Sequence, residues 1–161
     1  MVERDLDFGT RCAPGSSART EAGLAMMKHE RRVWIVEDEP AAATLAADLC
    51  HANGAVASLF RLPLPFLMAL RTSAPPAAVI LDWRLEHELS AGLFLATRHR
   101  YPQMPVIYWT GSVASTLPSM ISDDRWTVIV DKASGAAAFE DALGWALAPR
   151  GSAEPGDTAA S

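Results

Sequence analysis

The chain has little cysteine, and it has no hydrophobic run long enough to cross a membrane. Its two cysteines, Cys12 and Cys50, form no CxxC pair and show no zinc-like spacing to the four histidines. We therefore expect free thiols in a reducing compartment rather than a disulfide framework or a zinc site. No apolar stretch reaches the roughly 18 residues of a membrane span, and the N-terminus, Met1–Asp5, lacks the apolar core of a signal peptide. These absences predict a cytoplasmic protein with no membrane partner.

An excess of basic charge is also missing. The 161 residues carry a net charge of −5, and the nearest thing to a basic cluster, Lys28 with Arg31 and Arg32, is interrupted by Glu30. DNA-binding proteins usually show a basic stripe, so we expect no nucleic-acid partner and interpret this cluster as a solvated flank before a strand. With 50% apolar residues, a chain of this length suits one globular domain with a proper core.

Composition shifts near both ends mark the limits of that domain. Residues 12–17 are rich in Gly, Ser and Pro and show no periodicity, while Pro149 ends a helical pattern and a small, polar segment follows. We predict a disordered or weakly ordered extension over 1–30, a folded domain over 31–148 and a disordered tail over 149–161.

Within the domain, strand-like and helical patterns alternate. Apolar runs bounded by polar residues predict five strands, at about 32–37, 55–60, 78–82, 105–109 and 126–131. Helical patterns lie between and after them, at about 40–53, 66–71, 90–100, 112–122 and 139–147. Right-handed crossovers join such a series into a doubly wound, five-stranded parallel sheet with helices on both faces. We predict this α/β, flavodoxin-like fold with strand order 2-1-3-4-5.

Spacing of i, i+4 predicts the apolar faces of the first and last helices. Leu45 and Leu49 lie four apart in the first helix, and Phe139, Leu143 and Leu147 repeat every four residues in the last. We expect these side chains to pack against the sheet.

Carboxylates directly follow the first and third predicted strands. The run Val33–Val36 leads into Glu37 and Asp38, and the run Ala78–Leu81 leads into Asp82. In a 2-1-3 strand order these two carboxyl ends are neighbours, so the acids should meet at one edge of the sheet. Clustered carboxylates repel one another and need a cation, and their hard oxygens favour Mg²⁺.

Two further predicted strands end in polar side chains. Thr110 follows the run Pro105–Trp109, and Lys132 follows Val128–Asp131. The same edge should therefore present acids, a hydroxyl and an ammonium, which is the equipment that phosphoryl transfer needs for positioning and charge neutralisation.

These four segments together resemble the receiver domain of bacterial response regulators, the CheY-like proteins of two-component signalling. The matching pieces are Ile35–Pro40, Val79–Asp82, Pro105–Ser112 and Val128–Lys132. Their functional positions are separated by 44, 28 and 22 residues, as is typical of the family, and the resemblance covers about residues 31–148.

The resemblance implies a Mg²⁺ site. Asp38 would bind the ion directly and Glu37 through water, and Asp82 and the backbone carbonyl of Arg84 would complete the protein ligands. Ordinary alternatives exist: Glu37 and Asp38 would also suit the acidic start of a helix, and Asp82 would also suit a plain strand end.

The resemblance also implies a phosphoacceptor. Asp82 would attack a phosphohistidine of a histidine kinase or phosphotransfer protein as a carboxylate nucleophile. Lys132 would pair with Asp82 and then with the phosphoryl group, and Thr110 would hydrogen-bond the phosphoryl oxygen. A solvated loop lysine and a turn-satisfying threonine are the plain alternatives.

The implied function is that of a stand-alone receiver rather than an enzyme. It would act by contact with an unidentified downstream protein, through about residues 112–148, or as a carrier or sink in a phosphorelay. Trp145 would be either an exposed anchor on that face or partly buried against the sheet.

Three residues depart from the family pattern. Ala133 replaces the usual cis-proline after the lysine, so we expect a trans peptide there. Ile129 replaces the aromatic switch residue, and Asp131 would offer Lys132 a competing ion pair. A phosphorylation-independent docking module therefore stays open as the alternative. A Mg²⁺ phosphohydrolase is disfavoured because the segment Glu37–Glu39 lacks the Asp-x-Asp pattern of haloacid dehalogenases.

Overall fold

The computed structural model describes residues 31–85, 88–111 and 117–149. The predicted extension over 1–30, most of the predicted tail, and residues 112–116 of the predicted fourth helix lie outside these residues. The proposed domain limits therefore stay predictions.

Five parallel strands form one sheet. They are β1 (Arg32–Val36), β2 (Val56–Phe60), β3 (Ala78–Leu81), β4 (Val106–Thr110) and β5 (Thr127–Asp131). Their spatial order is β2-β1-β3-β4-β5, which confirms the predicted doubly wound topology. Val36 pairs with Leu81, and Thr110 pairs with Asp131. Because the strands end in register, the residues that follow them leave the sheet at one edge.

The helices match the predicted series with shifted boundaries. They are α1 (Pro40–Ala52), α2 (Pro63–Thr72), α3 (Ala91–Arg100), α4 (Ser119–Ser122) and α5 (Gly135–Leu147), with a 3₁₀ turn at Lys132–Ser134 before α5. Helix α2 begins at Pro63 rather than at Phe66. Its first turn accepts prolines because the amides there have no partner within the helix.

Alternate strand residues build two separate cores. On β1, Trp34 belongs to the core under α2, α3 and α4, whereas Ile35 belongs to the core under α1 and α5. Strand side chains point alternately to the two faces of a sheet. The apolar strands are thus buried on both faces, as the unbroken apolar runs predicted.

The prediction for the apolar face of α1 is wrong at Leu45. This side chain is 49% exposed, and Leu49 is only partly buried. The helix instead turns Ala43, Ala46 and Cys50 toward the sheet, because small side chains let the backbone approach closely. Cys50 is a free thiol, as expected, and its burial raises its pKa to about 11.

The prediction for α5 is confirmed. Phe139 and Leu143 are fully buried, and Leu147 packs partly against the same core.

One feature was not predicted: after Asp82, Arg84–Leu85 pairs antiparallel with Glu88–Leu89. Two-residue strands are too short to give a periodic pattern. None of the helices in the described ranges is long and apolar enough to span a membrane.

An ion pair lies at the edge of the sheet where β4 and β5 begin, opposite the edge that carries Glu37, Asp82 and Lys132. The Nη2 of Arg98, on α3, lies 2.6 Å from Oδ2 of Asp124, just before β5. Arg98 also donates to the carbonyl oxygens of Met104 and Trp126, and Asp124 accepts from the Thr127 hydroxyl. One guanidinium therefore joins α3 to the segments before β4 and β5.

We expect Asp124→Asn to lower the free energy of unfolding by about 1–2 kcal/mol at neutral pH. Desolvation raises the pKa of the Asp124 carboxyl, but hydrogen bonds from Arg98 and Thr127 outweigh it and hold this pKa below its ordinary value. Because the pKa of Asp124 is lower in the folded protein than in the unfolded chain, its ionised form stabilises the fold at pH values above the unfolded pKa. This contribution is lost as the pH falls through the folded pKa.

Urea unfolding at pH 7 and near pH 3 measures this effect, which should be smaller at the lower pH. The matched control is Asp123→Asn, because Asp123 is exposed and lies outside the Arg98 network. Equal losses for the two variants at pH 7 would contradict the assignment.

Candidate functional site

The predicted acids meet where β1 and β3 end. One carboxylate oxygen from each of Glu37, Asp38 and Asp82 lies within 4.8 Å of the others. The pairing of β1 with β3 sets this proximity, because it brings the residues after both strands side by side. Glu37 is 2% exposed and Asp82 8% exposed, whereas Asp38 is half-buried. Two of the three carboxylates are thus largely removed from water.

Lys132 joins the two most buried acids. Its Nζ lies 2.7 Å from Oε2 of Glu37 and 2.9 Å from Oδ2 of Asp82. Lys132 opens the 3₁₀ turn after β5, and β3 and β4 lie between β5 and β1. The side chain therefore reaches across the edge of the sheet. With all four groups charged, three carboxylates and one ammonium leave a net charge of −2.

Burial and ion pairing act against each other on these groups. Desolvation raises the pKa of Glu37, although the hydrogen bond from Lys132 opposes that shift. Burial by itself would lower the pKa of Lys132, but hydrogen bonds to Glu37 and Asp82 raise it. Lys132 is therefore an ammonium at neutral pH and supplies a fixed positive charge beside Asp82.

Backbone amides hold the other oxygens of the two buried acids. The Glu39 amide donates to Oε1 of Glu37 at 3.2 Å, and the Arg84 amide donates to Oδ1 of Asp82 at 3.3 Å. Each carboxylate is thus fixed by one amide and by the Lys132 ammonium. The carbonyl of Arg84 stays a predicted metal ligand.

Thr110 ends β4, the strand between those that lead to Asp82 and Lys132. It is 1% exposed and lies opposite Asp131 in the β4–β5 register. The fold therefore brings the predicted acids, hydroxyl and ammonium to one edge, and their roles in chemistry stay predictions.

The loop after β5 differs from one expectation. Asp131 forms no ion pair with Lys132 within the described ranges; its Oδ1 instead accepts the Ala133 amide at 2.8 Å and caps the 3₁₀ turn. The 3₁₀ turn makes this hydrogen bond possible, because it brings the Ala133 amide close to the side chain of Asp131, two residues earlier in the chain. All peptide bonds of the described residues are trans, as expected for the Lys132–Ala133 bond.

Ile129 and Trp145 pack against the two cores, whereas Trp109 also reaches the site. Ile129 packs partly against the core under α2, α3 and α4, and Trp145 is half-buried against the opposite core, which matches the second of its two interpretations. Trp109 was missed: its ring lies 5.3 Å from Nζ of Lys132. The aromatic residue directly before Thr110 was the available signal, but only strand pairing reveals the contact.

The acidic cluster suits a hard divalent cation. Its donors are carboxylate oxygens, the kind of ligand that Mg²⁺ prefers, and half-buried Asp38 leaves one side open to water. A divalent charge would also balance the residual charge of the cluster.

Comparison with known proteins relates the chain to receiver domains by fold. No family model and no curated protein matches the sequence. A response regulator receiver protein from Sinorhizobium medicae matches with a TM-score of 0.65 and 16% identity, over 74% of this chain and 95% of that one. A receiver domain protein from Bacillus halodurans matches with a TM-score of 0.64 and 19% identity, over 76% and 100%.

A third similar structure contains a metal. The response regulator protein TrrA from Thermotoga maritima, in complex with Mg²⁺ and BeF, matches with a TM-score of 0.63 and 18% identity, over 73% of this chain and 99% of that one. Identities this low establish the fold alone. The described domain therefore has the CheY-like fold of response-regulator receiver domains.

Proposed function

We propose that the protein is a receiver that accepts a phosphoryl group on Asp82 in a Mg²⁺-dependent reaction. One observation carries the proposal: the nearly buried Asp82 carboxylate is ion-paired with Lys132 and lies within 4.8 Å of the Glu37 and Asp38 oxygens. A carboxylate can attack an anionic phosphoryl group when nearby positive charges offset the repulsion between the two. Lys132 supplies one such charge, and a cation held by the acidic cluster would supply more.

The donor would be a phosphohistidine of a histidine kinase or phosphotransfer protein. An Asp82 oxygen forms a bond to phosphorus as the phosphorus–nitrogen bond breaks, and the electron pair of that bond stays with the imidazole. Lys132 would shift its hydrogen bond from Asp82 toward the phosphoryl oxygens, and Thr110 would donate its hydroxyl to them. Mg²⁺, held by Glu37, Asp38 and Asp82, would supply charge neutralisation at the phosphoryl oxygens.

The output would be contact with another protein rather than turnover of a substrate. A groove of about 420 Å³ runs between β5 and α5, with Val128, Asp141 and Trp145 in its lining. It lies on the predicted contact face and combines an aromatic wall with two carboxylates, those of Asp131 and Asp141. A phosphorelay carrier or sink would use the same phosphorylation site but would not need this groove. Sustained hydrolysis of an external phosphate ester would contradict the proposal that the protein is not an enzyme.

The second candidate is a docking module that works without phosphorylation. Ile129 favours it, because an aliphatic side chain packed into the core offers no aromatic ring to turn between two positions. Absence of phosphoryl uptake together with retained binding to a partner protein would select this candidate.

We expect the protein to gain the mass of one phosphoryl group when incubated with acetyl phosphate and Mg²⁺, and we expect Asp82→Asn to gain none. Intact-mass spectrometry under non-acidic, rapid conditions measures this, because acyl phosphates hydrolyse readily. The matched control is Asp48→Asn, an exposed aspartate on α1, which should be phosphorylated like the parent. Equal uptake by Asp82→Asn and the parent would refute Asp82 as acceptor.

We also expect Mg²⁺ to bind the acidic cluster, with Asp38→Asn weakening its affinity by at least about tenfold. The physical reason is the loss of one charged oxygen ligand from a small set. Isothermal titration calorimetry measures the affinity. The control is Glu39→Gln, since the Glu39 side chain is exposed and only its amide contacts the cluster. Comparable weakening in both variants would show that general negative charge, not this site, attracts the ion.

A further inference from the structure

Trp109 is a buried aromatic residue directly under the candidate site. It lies on β4 immediately before Thr110, is 5% exposed, and pairs in register with Val130 of β5. Its ring meets Phe139 of α5 edge-on, with the centroids 5.0 Å apart. The indole is therefore held by the core on one side and reaches the strand-end edge on the other.

The ring of Trp109 contacts the ammonium that pairs with Asp82. Nζ of Lys132 lies 5.3 Å from the ring centroid, within the range of a cation–π interaction. The same ammonium donates to Glu37 and Asp82. Lys132 thus has two carboxylates and one aromatic ring as its surroundings.

The buried indole nitrogen of Trp109 has no hydrogen-bond partner among the described residues, which draws attention to the ring face instead. Nε1 is buried and has no hydrogen-bond partner among the described residues, although a buried tryptophan N–H usually finds one. Phenylalanine would fill a purely apolar position without leaving a donor unpaired. Tryptophan, in contrast, offers a cation the most strongly attracting aromatic face. Trp109 thus presents its ring face to Lys132 while its N–H has no partner among the described residues.

The ring of Trp109 adds a contact for the Lys132 side chain beyond the turn that carries it. Within the turn, the Asp131 carboxylate accepts a hydrogen bond from the Ala133 amide. From there the flexible side chain of Lys132 extends across the edge of the sheet. An aromatic surface under the end of that stem restricts where the ammonium can lie.

We propose that Trp109 is a positioning residue for Lys132, whose indole face holds the ammonium at Asp82 and thereby speeds phosphoryl uptake. This inference rests on the proposed function. Trp109 forms no bond in the reaction, and Lys132 keeps its proton throughout. The bond made is between Asp82 and phosphorus, and the bond broken joins phosphorus to the donor, which keeps the electron pair.

The lysine content of the chain gives a direct measurement of the geometry. There are two lysines, Lys28 and Lys132, so a protein labelled with ¹³C-lysine gives two ε-methylene signals, and Lys132→Met identifies which belongs to Lys132. Protons above an indole face are shifted upfield. We expect an upfield Lys132 signal that moves toward the random-coil value in Trp109→Leu and only part of the way in Trp109→Phe. This measurement requires no phosphorylation.

The kinetic arm uses acetyl phosphate and Mg²⁺. Loss of one cation–π contact should slow uptake by Trp109→Leu roughly two- to thirtyfold, with Trp109→Phe closer to the parent. In a Lys132→Met background, Trp109→Leu should cause no further slowing, since the ring acts through the ammonium. Trp34→Leu is the control: Trp34 is 2% exposed in the opposite core, so it removes similar packing away from Lys132.

Each outcome decides the inference. An upfield Lys132 signal lost in Trp109→Leu, with slowing that disappears in the Lys132→Met background, supports it. An unshifted Lys132 signal overturns it, and so does equal slowing by Trp109→Leu with and without Lys132. If Trp109→Leu does not fold, Trp109→Phe carries the same comparison. A parent protein that takes up no phosphoryl group refutes the proposed function, while the spectra still decide whether Trp109 positions Lys132.

Discussion

A single ammonium satisfies two buried carboxylates at the edge of this sheet. Glu37 and Asp82 are almost excluded from water, and an unpaired buried charge costs several kcal/mol. Lys132 hydrogen-bonds both. The arrangement requires the ends of β1, β3 and β5 to hold fixed positions, so the topology of the sheet and the charge balance of the site depend on each other.

The chemistry of the edge follows from its incomplete neutralisation. One ammonium leaves the three-carboxylate cluster with residual negative charge, and half-buried Asp38 keeps that charge accessible. Such a cluster attracts a hard cation, and cation and ammonium together would prepare Asp82 to meet an anionic phosphoryl group. The proposed uptake of phosphate would need no catalytic base, because the Asp82 carboxylate would itself be the nucleophile.

The proposed uptake of phosphate and its readout would depend on different residues. The strand-end side chains that would handle phosphate are in place, whereas position 129 carries isoleucine and Asp131 caps the turn after Lys132. The ring of Trp109 lies beside Lys132 rather than at position 129, where the resemblance to receiver domains would place an aromatic switch residue. A readout of the proposed phosphorylation would therefore need contacts other than an aromatic ring at position 129.

Local patterns in the sequence predicted the strands, their burial on both faces and the residues at their ends. Apolar runs of four or five residues, each followed by a polar residue, can be recognised without knowledge of distant neighbours. The order of the strands followed from the crossover rule for alternating strands and helices. The end of β3 at Asp82 and the end of β5 at Lys132 were readable for that reason.

The contacts that those residues make depend on the tertiary fold. The bridge from Lys132 to Glu37 spans 95 residues of chain, and the contact with Trp109 depends on the pairing of β4 with β5. The exposed Leu45 has the same explanation, since close packing against the sheet selected the alanine face of α1. Contacts between distant segments arise from strand register and packing, which no local pattern records.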